Sequence, residues 1–290
     1  MTAEMRHRPL SPKGRGSTLA QALAMAQQQG LPRIDAQMLL LHVLGRATHD
    51  RAWLIAHDGD ALAPGAAAPF GALCARRLRG EPVAYLTGTK AFHGLTLHVD
   101  ARVLDPRDDT ETLVDWALDL LPADQPARVL DLGTGSGAIA LALAAARPRA
   151  DVWAVDASAD ALAVARANGQ RLGLAVNWRH GDWLAPVAGE RFDLIVSNPP
   201  YIAESDPHLA ALAHEPRQAL ASGPDGLRDL RVLCAAAPAH LRPGGWLLLE
   251  HGHDQAAAVR ALLQQAGLGQ VQSRRDLAGI ERCSGGQRPA

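Results

Sequence analysis

The sequence is short of aromatic residues, which make up 4% of 290, and short of cysteine, net charge and long apolar runs. Each shortage excludes something. With 29 basic and 30 acidic residues the charges nearly cancel, so the chain lacks the electrostatic footprint of a protein whose main partner is nucleic acid. Cys74, Cys234 and Cys283 are odd in number, scattered, and in no Cys-x-x-Cys spacing, which fits reduced thiols in a cytoplasmic protein. No apolar run approaches the length of a membrane span, so no membrane association is expected. Residues 1–16 are basic and carry Pro and Gly but no apolar core, the composition of a disordered leader and not of a signal peptide. What remains is a 48% hydrophobic, alanine-rich globular chain long enough for about two domains.

The most informative stretch is Phe192-Asp193-Leu194-Ile195-Val196-Ser197-Asn198-Pro199-Pro200-Tyr201. Its apolar run reads as a strand covered on both faces, as in a parallel sheet. Two prolines then end it rigidly, since each fixes φ, lacks an N–H and extends the residue before it. Upstream, apolar residues recur at helical steps from Leu19 to Leu44, and the pattern predicts a small helical domain over 17–80. Residues 81–108 read as a hairpin-like linker, with Val83 to Leu86 as one apolar run, Phe92 to Val99 as another, and Gly88 and Gly94 as turn points. From 109 to 290 helical and strand patterns alternate: a helix over 110–121, strands over 129–132, 151–156, 175–178 and 192–197, helices over 138–146 and 158–172, then a helix over 227–241, a strand over 246–250, a helix over 255–266 and a last hairpin. Such alternation predicts a doubly wound α/β sheet.

The chemistry concentrates at the carboxyl ends of those strands. In Gly133-Thr134-Gly135-Ser136-Gly137 the glycines allow close approach of a ligand and a turn from strand into helix. Asp156 ends the next strand, at the distance expected of a ribose-binding acid. The pattern fits the relaxed dinucleotide fingerprint, but Asp131 just before the loop would repel a pyrophosphate and attract an ammonium group. S-adenosylmethionine carries an α-ammonium and a ribose diol and has no phosphate. Trp183 could stack on its adenine. Asn198 and the Pro199 carbonyl can accept both hydrogens of a planar –NH₂ group, with the Tyr201 ring beside it. Two other groupings are discounted. Glu250-His251-Gly252-His253 follows a strand without the helical spacing of a zinc site, so no metal is expected, and Ser136 has no acid and His partners in hydrolase order.

Taken together these residues resemble the peptide chain release factor glutamine N5-methyltransferases. The resemblance rests on Glu81 to Gly88, Thr110 to Val114, Val129 to Ala140, Ser197 to Glu204 and Leu249 to Gly252. It implies a Rossmann-like S-adenosylmethionine-dependent methyltransferase domain behind the helical one. It implies the cofactor on Gly133, Thr134, Gly135, Ser136, Gly137, Asp156, Trp183 and Asn198, and the acceptor glutamine on Asn198, Pro199, Pro200 and Tyr201, with Asn198 and Pro199 catalytic. The implied partner is a class I release factor, methylated at the glutamine of its Gly-Gly-Gln motif and docked by the helical domain. A cytoplasmic monomer with no direct nucleic-acid contact is expected. Methylation of a ribosomal-protein glutamine or of a nucleobase are the alternatives. The chain departs from the family at Asp105, where an apolar residue is usual, at Asp108, where a proline is usual, and at His214, where an aromatic is usual. Its own Gly285-Gly286-Gln287 reads as a coincidence in a short exposed tail.

Overall fold

The computed structural model describes residues 17–290, so the leader expected over 1–16 lies outside the described residues. The chain divides into two compact units, the second beginning at Gly88.

The first unit is helical: α1 (Leu19–Gln28), α2 (Arg33–Val43), α3 (Arg51–Ala56), α4 (Ala67–Leu78) and α5 (Val83–Thr87). Thr18 opens α1 through a reciprocal capping box with Gln21, and Asp50 caps α3 by accepting from the Trp53 N–H. Leu39, Leu40 and Leu41 of α2 are fully buried in one core with Leu19, Leu54, Phe70 and Cys74. Burial pushes the Cys74 thiol up to about 11, leaving it inert at neutral pH. One expectation is corrected here. The run Val83 to Leu86 is helix and not the first arm of a hairpin. Pro82 explains it, because a proline is preset for the first helical turn, and its carbonyl accepts from the Tyr85 and Leu86 N–H groups.

The second unit opens with the hairpin β1 (Thr89–Phe92) and β2 (Leu95–His98), turned at Gly94 with φ +76°. Then come α6 (Glu111–Leu120), β3 (Arg128–Leu132), α7 (Ala138–Ala146), β4 (Asp151–Asp156), α8 (Ala159–Leu172), β5 (Asn177–His180), β6 (Phe192–Ser197), α9 (Arg228–Ala236), β7 (Leu241–Glu250), α10 (Ala256–Gln265), β8 (Gly269–Arg275) and β9 (Glu281–Gln287). The strands form one seven-stranded sheet in the order β5-β4-β3-β6-β7-β9-β8, in which β9 runs antiparallel to both β7 and β8 and the remaining pairs are parallel. Leu130, Leu132, Ile195, Leu247 and Leu249 share a core with Leu230 and Leu233 of α9 and Val259 and Leu263 of α10. On α7, the Ala140 N–H donates to Asp131 of β3, and the Trp116 ring of α6 lies close to Gly285 of β9. The doubly wound fold is therefore as expected.

Three details differ from the sequence reading. β5 begins at Asn177 and not at 175, because Trp153 of β4 pairs with Asn177 and leaves Ala175 and Val176 in the connection. The helix expected over 227–241 ends at Ala236, Pro238 sits in a 3-10 turn before β7, and β7 itself begins at Leu241 and not at 246. Gly285-Gly286-Gln287 is no exposed tail. It is the end of β9, paired with Leu248, Leu247 and Trp246 of β7, and both glycines are buried. A Cβ on Gly285 would stand 2.5 Å from Leu248 Cδ2 and 3.0 Å from the Trp116 ring, so only glycine fits between the strand and α6.

Candidate active site

β3 and β6 are neighbours in the sheet although β4 and β5 separate them in sequence. At such a switch point a crevice opens beyond the carboxyl ends of the strands. A cleft of ≈ 300 Å³ lies there, with Gly133, Gly135, Asp156, Trp183, Asn198 and Pro200 in its wall.

The glycine loop answers three different demands. Gly133, Gly135 and Gly137 all have positive φ, at +71°, +56° and +84°. A Cβ on Gly135 would meet nothing within 4 Å, so this glycine leaves room for something to approach its backbone. A Cβ on Gly133 would lie 3.5 Å from the Trp183 ring, which covers it. Gly137 instead serves packing, since its Cβ would lie 3.0 Å from Leu141 and 3.2 Å from Trp178. Thr134 and Ser136 are buried. The Thr134 hydroxyl donates to Asp131 Oδ2 at 2.6 Å, and the Ser136 carbonyl accepts from Asn168 Nδ2 at 3.0 Å. The structure thus puts Gly133 and Gly135 on the cleft and Thr134, Ser136 and Gly137 behind it.

Asp131 requires a correction. It is fully buried and forms no part of the cleft wall. Burial pushes its carboxyl up to about 7, opposed by the bonds that Oδ2 accepts from Thr134 and Ala140, which brace the loop, while Oδ1 has no hydrogen-bond partner. Asp156, with Asp182 and Asp229, does line the cleft. Asp156 Oδ2 accepts from the Gly135 N–H at 2.8 Å and its Oδ1 from the Ser158 N–H at 2.8 Å. Burial raises its pKa and these two backbone bonds pull it back. Each oxygen keeps a further lone pair, which is the acceptor set that a vicinal diol requires.

Across the cleft the Asn198-Pro199-Pro200-Tyr201 turn follows β6. Asn198 Nδ2 donates to Thr110 Oγ1 at 3.1 Å, which leaves Oδ1 as the free end of the amide. Pro199 is buried, and Tyr201 packs against the core with its hydroxyl 3.3 Å from Glu250 Oε1. The backbone beyond is held tightly. Gln255 Nε2 donates to the Tyr201 carbonyl at 3.0 Å, and a Cβ on Gly226 would collide with that same oxygen.

Arg102, Val103 and Leu104 on one segment and Pro216, Gln218 and Ala219 on another extend the wall, and one ion pair ties the two segments together. Arg107 donates to Glu215 Oε1 at 2.6 Å while the Asp105 N–H donates to Glu215 Oε2 at 3.2 Å. The departures at Asp105 and Asp108 fall beside this clamp. Asp105 Oδ1 is buried with no hydrogen-bond partner, whereas Asp108 is paired with Lys90 Nζ at 2.8 Å. His214 is exposed. Of the discounted residues, His251 is buried on Ser284 Oγ at 2.8 Å and His253 is exposed.

Sequence reasoning missed Glu250, Gly226 and the Arg107–Glu215 clamp, and gave Thr110 no role beside Asn198. Thr110 and Glu250 lie inside stretches that carry the family resemblance, but nothing in their spacing to Asn198 shows that the fold joins them.

Known proteins share this organisation. Residues 17–88 match the PrmC N-terminal domain and residues 110–225 the Methyltransferase small domain. The chain is 56% identical over 260 residues to the release factor glutamine methyltransferase of Bordetella pertussis, covering 89% of this chain and 95% of that one. It is 48% identical over 258 residues to that of Pseudomonas aeruginosa, covering 88% and 92%. A solved methyltransferase from Pyrococcus furiosus shares the fold at a TM-score of 0.54 and 20% identity, over 74% of this chain and 98% of that one. Identity of this order, running through both units, places the chain in the release factor glutamine methyltransferase family.

Proposed function

We propose that the protein transfers the methyl group of S-adenosylmethionine to the side-chain amide nitrogen, N5, of the glutamine in the Gly-Gly-Gln motif of class I peptide chain release factors. The observation that carries this reading is the placement of Asn198 across one cleft from Gly135 and Asp156, in a chain of this family. The residues present fit the cofactor. Open space stands over Gly135 where any side chain would intrude, Asp156 offers two acceptors for the ribose diol, and the Trp183 ring provides a flat apolar surface for adenine.

Bound S-adenosylmethionine supplies an electrophilic methyl on a sulfonium. The chain's own residues supply orientation. Asn198 Oδ1 and the Pro199 carbonyl accept the two N–H bonds of the glutamine amide, which aims the nitrogen lone pair and draws it out of amide resonance. An amide nitrogen is a weak nucleophile, so alignment and this polarisation supply most of the rate. No strong base is needed, because the proton leaves after transfer. The Tyr201 and Pro200 side of the turn holds the flat amide in place. Selectivity for the folded factor comes from the helical unit, which docks it and raises the loop's local concentration at the cleft. The enzyme works as a cytoplasmic monomer without direct nucleic-acid contact.

The test incubates protein and labelled cofactor with intact release factor, a ribosomal protein and DNA, and locates the methyl by fragmentation mass spectrometry. Methyl on the Gly-Gly-Gln glutamine is expected. Methyl on the ribosomal protein or the DNA alone would overturn the assignment.

A further inference from the structure

Behind Asn198 lies a short buried chain of polar groups. Asn198 Nδ2 donates to Thr110 Oγ1 at 3.1 Å, and Thr110 is 4% exposed, at the end of the 3-10 turn that leads into α6. An amide beside a hydroxyl has two possible flips, since the hydroxyl can accept from Nδ2 or donate to Oδ1. What decides between them is where the Thr110 hydrogen goes. Glu250, at the end of β7, is 1% exposed, and its Oε2 has no hydrogen-bond partner while Oε1 accepts from the Tyr201 hydroxyl at 3.3 Å. The Thr110 hydroxyl is near enough to this carboxyl to favour its ionised form, although no hydrogen bond closes between them. A buried carboxylate short of donors is costly, so the Thr110 hydrogen is drawn toward it. Oγ1 then has only lone pairs to offer Asn198, which must present Nδ2 to it and Oδ1 to the cleft.

We propose that Thr110 and Glu250 are positioning residues for methyl transfer, fixing the Asn198 amide in the one flip that accepts from the substrate amide. This rests on the reading of Asn198 given above. The pair acts through Asn198 and touches neither substrate nor cofactor. Because Glu250 also takes the Tyr201 hydroxyl, one carboxylate sets both ends of the Asn-Pro-Pro-Tyr turn. The preference reverses on protonation. A protonated Glu250 donates to Thr110, whose own hydrogen is then free for Asn198 Oδ1, and the amide turns its donor to the cleft. Burial holds the Glu250 carboxyl up near 7, within reach of such a change. The groups facing it are Thr110 and Asp109 from the turn before α6, Tyr201 from the loop after β6, and Arg282 and Cys283 from β9. Arg282 favours the ionised form and Asp109 opposes it.

The experiment measures kcat and KM on intact release factor from pH 5.5 to 8.5 for wild type, Thr110→Val, Thr110→Ser and Glu250→Gln, a range of roughly 1.5 pH units either side of neutrality. Binding of S-adenosylhomocysteine by calorimetry and thermal melting are followed in parallel. Thr110→Val keeps the shape and removes the hydroxyl, and its kcat should fall about ten- to a hundredfold with the cofactor affinity changed less than about threefold. Thr110→Ser restores the hydroxyl and should recover most of the rate. Wild-type kcat should fall toward acid pH, and Glu250→Gln should lose that limb of the profile. A Thr110→Val enzyme with wild-type kcat, a Thr110→Ser enzyme no better than Thr110→Val, or an unchanged acid limb in Glu250→Gln would overturn the proposal. A wild-type enzyme that methylates no glutamine would instead overturn the function on which it rests.

Discussion

At the scale of single residues, the site separates groups that face the cleft from groups that hold them. Asn198→Ala should abolish most turnover, by about 2.7–4 kcal/mol of barrier if its acceptor is as effective as a single oxyanion-hole donor. The melting temperature should stay near wild type, because Asn198 is only partly buried at a strand end. Single-turnover rates beside melting curves check this, and a near wild-type rate would make the turn merely structural. Asp156→Ala should weaken S-adenosylhomocysteine about ten- to a hundredfold by calorimetry, the cost of roughly 1.5–3 kcal/mol in charge-assisted bonds. Saturable heat with NAD and none with S-adenosylhomocysteine would refute the cofactor assignment.

Asp105 makes a different kind of prediction. Burial raises its carboxyl pKa in the folded chain, and Oδ1 has no partner. A carboxyl with a raised native pKa favours the fold at low pH, and that support is lost as pH rises through the native value. At neutral pH the ionised group is a burden. Asp105→Leu should therefore stabilise the protein by about 1–2 kcal/mol at neutral pH and by less near the ordinary carboxylate pKa of about 4, as read by chemical denaturation. Equal effects at both pH values would show that packing and not ionisation is responsible. The sequence marked Asp105 as unusual, but the consequence depends on Glu215, 110 positions away, being brought to the same place, which no local pattern encodes.

At the scale of elements, regular segments were the most legible. α7 and β4 match the expected limits because their apolar patterns are sharp and glycine or aspartate bounds them. The errors occur where a neighbour decides. Pairing with β4 moves the start of β5 along the chain, and Pro82 converts an apolar run into helix. The glycine loop shows the same limit, since glycines of equal appearance do different work. Gly135→Ala should weaken the cofactor more than it lowers the melting temperature. Gly137→Ala should do the reverse, because its Cβ enters the packing of Leu141, Trp178 and Ala165. Both substitutions carry the strain of positive φ, so the contrast between calorimetry and melting, and not either value alone, is the measurement.

At the scale of the whole molecule, near-neutral charge and the two-part composition were readable at once, whereas the sequence of the helical unit names no partner. If docking supplies selectivity, intact release factor should be methylated far faster than an isolated Gly-Gly-Gln peptide at equal concentration, because tethering holds the loop at an effective concentration on the order of 1 mM. Equal rates would remove the docking role and leave the chemistry untouched.

The order β7-β9-β8 also has a consequence in time. Strand β8 precedes β9 in the sequence, yet β9 occupies the place beside β7. During synthesis β8 emerges before its partner strand, so its native pairing must wait for β9. Non-local pairings of this kind close late and govern folding rates. A substitution that crowds Gly285 should therefore slow refolding as well as speed unfolding if hairpin docking limits the rate, whereas one confined to α1 should leave that step alone.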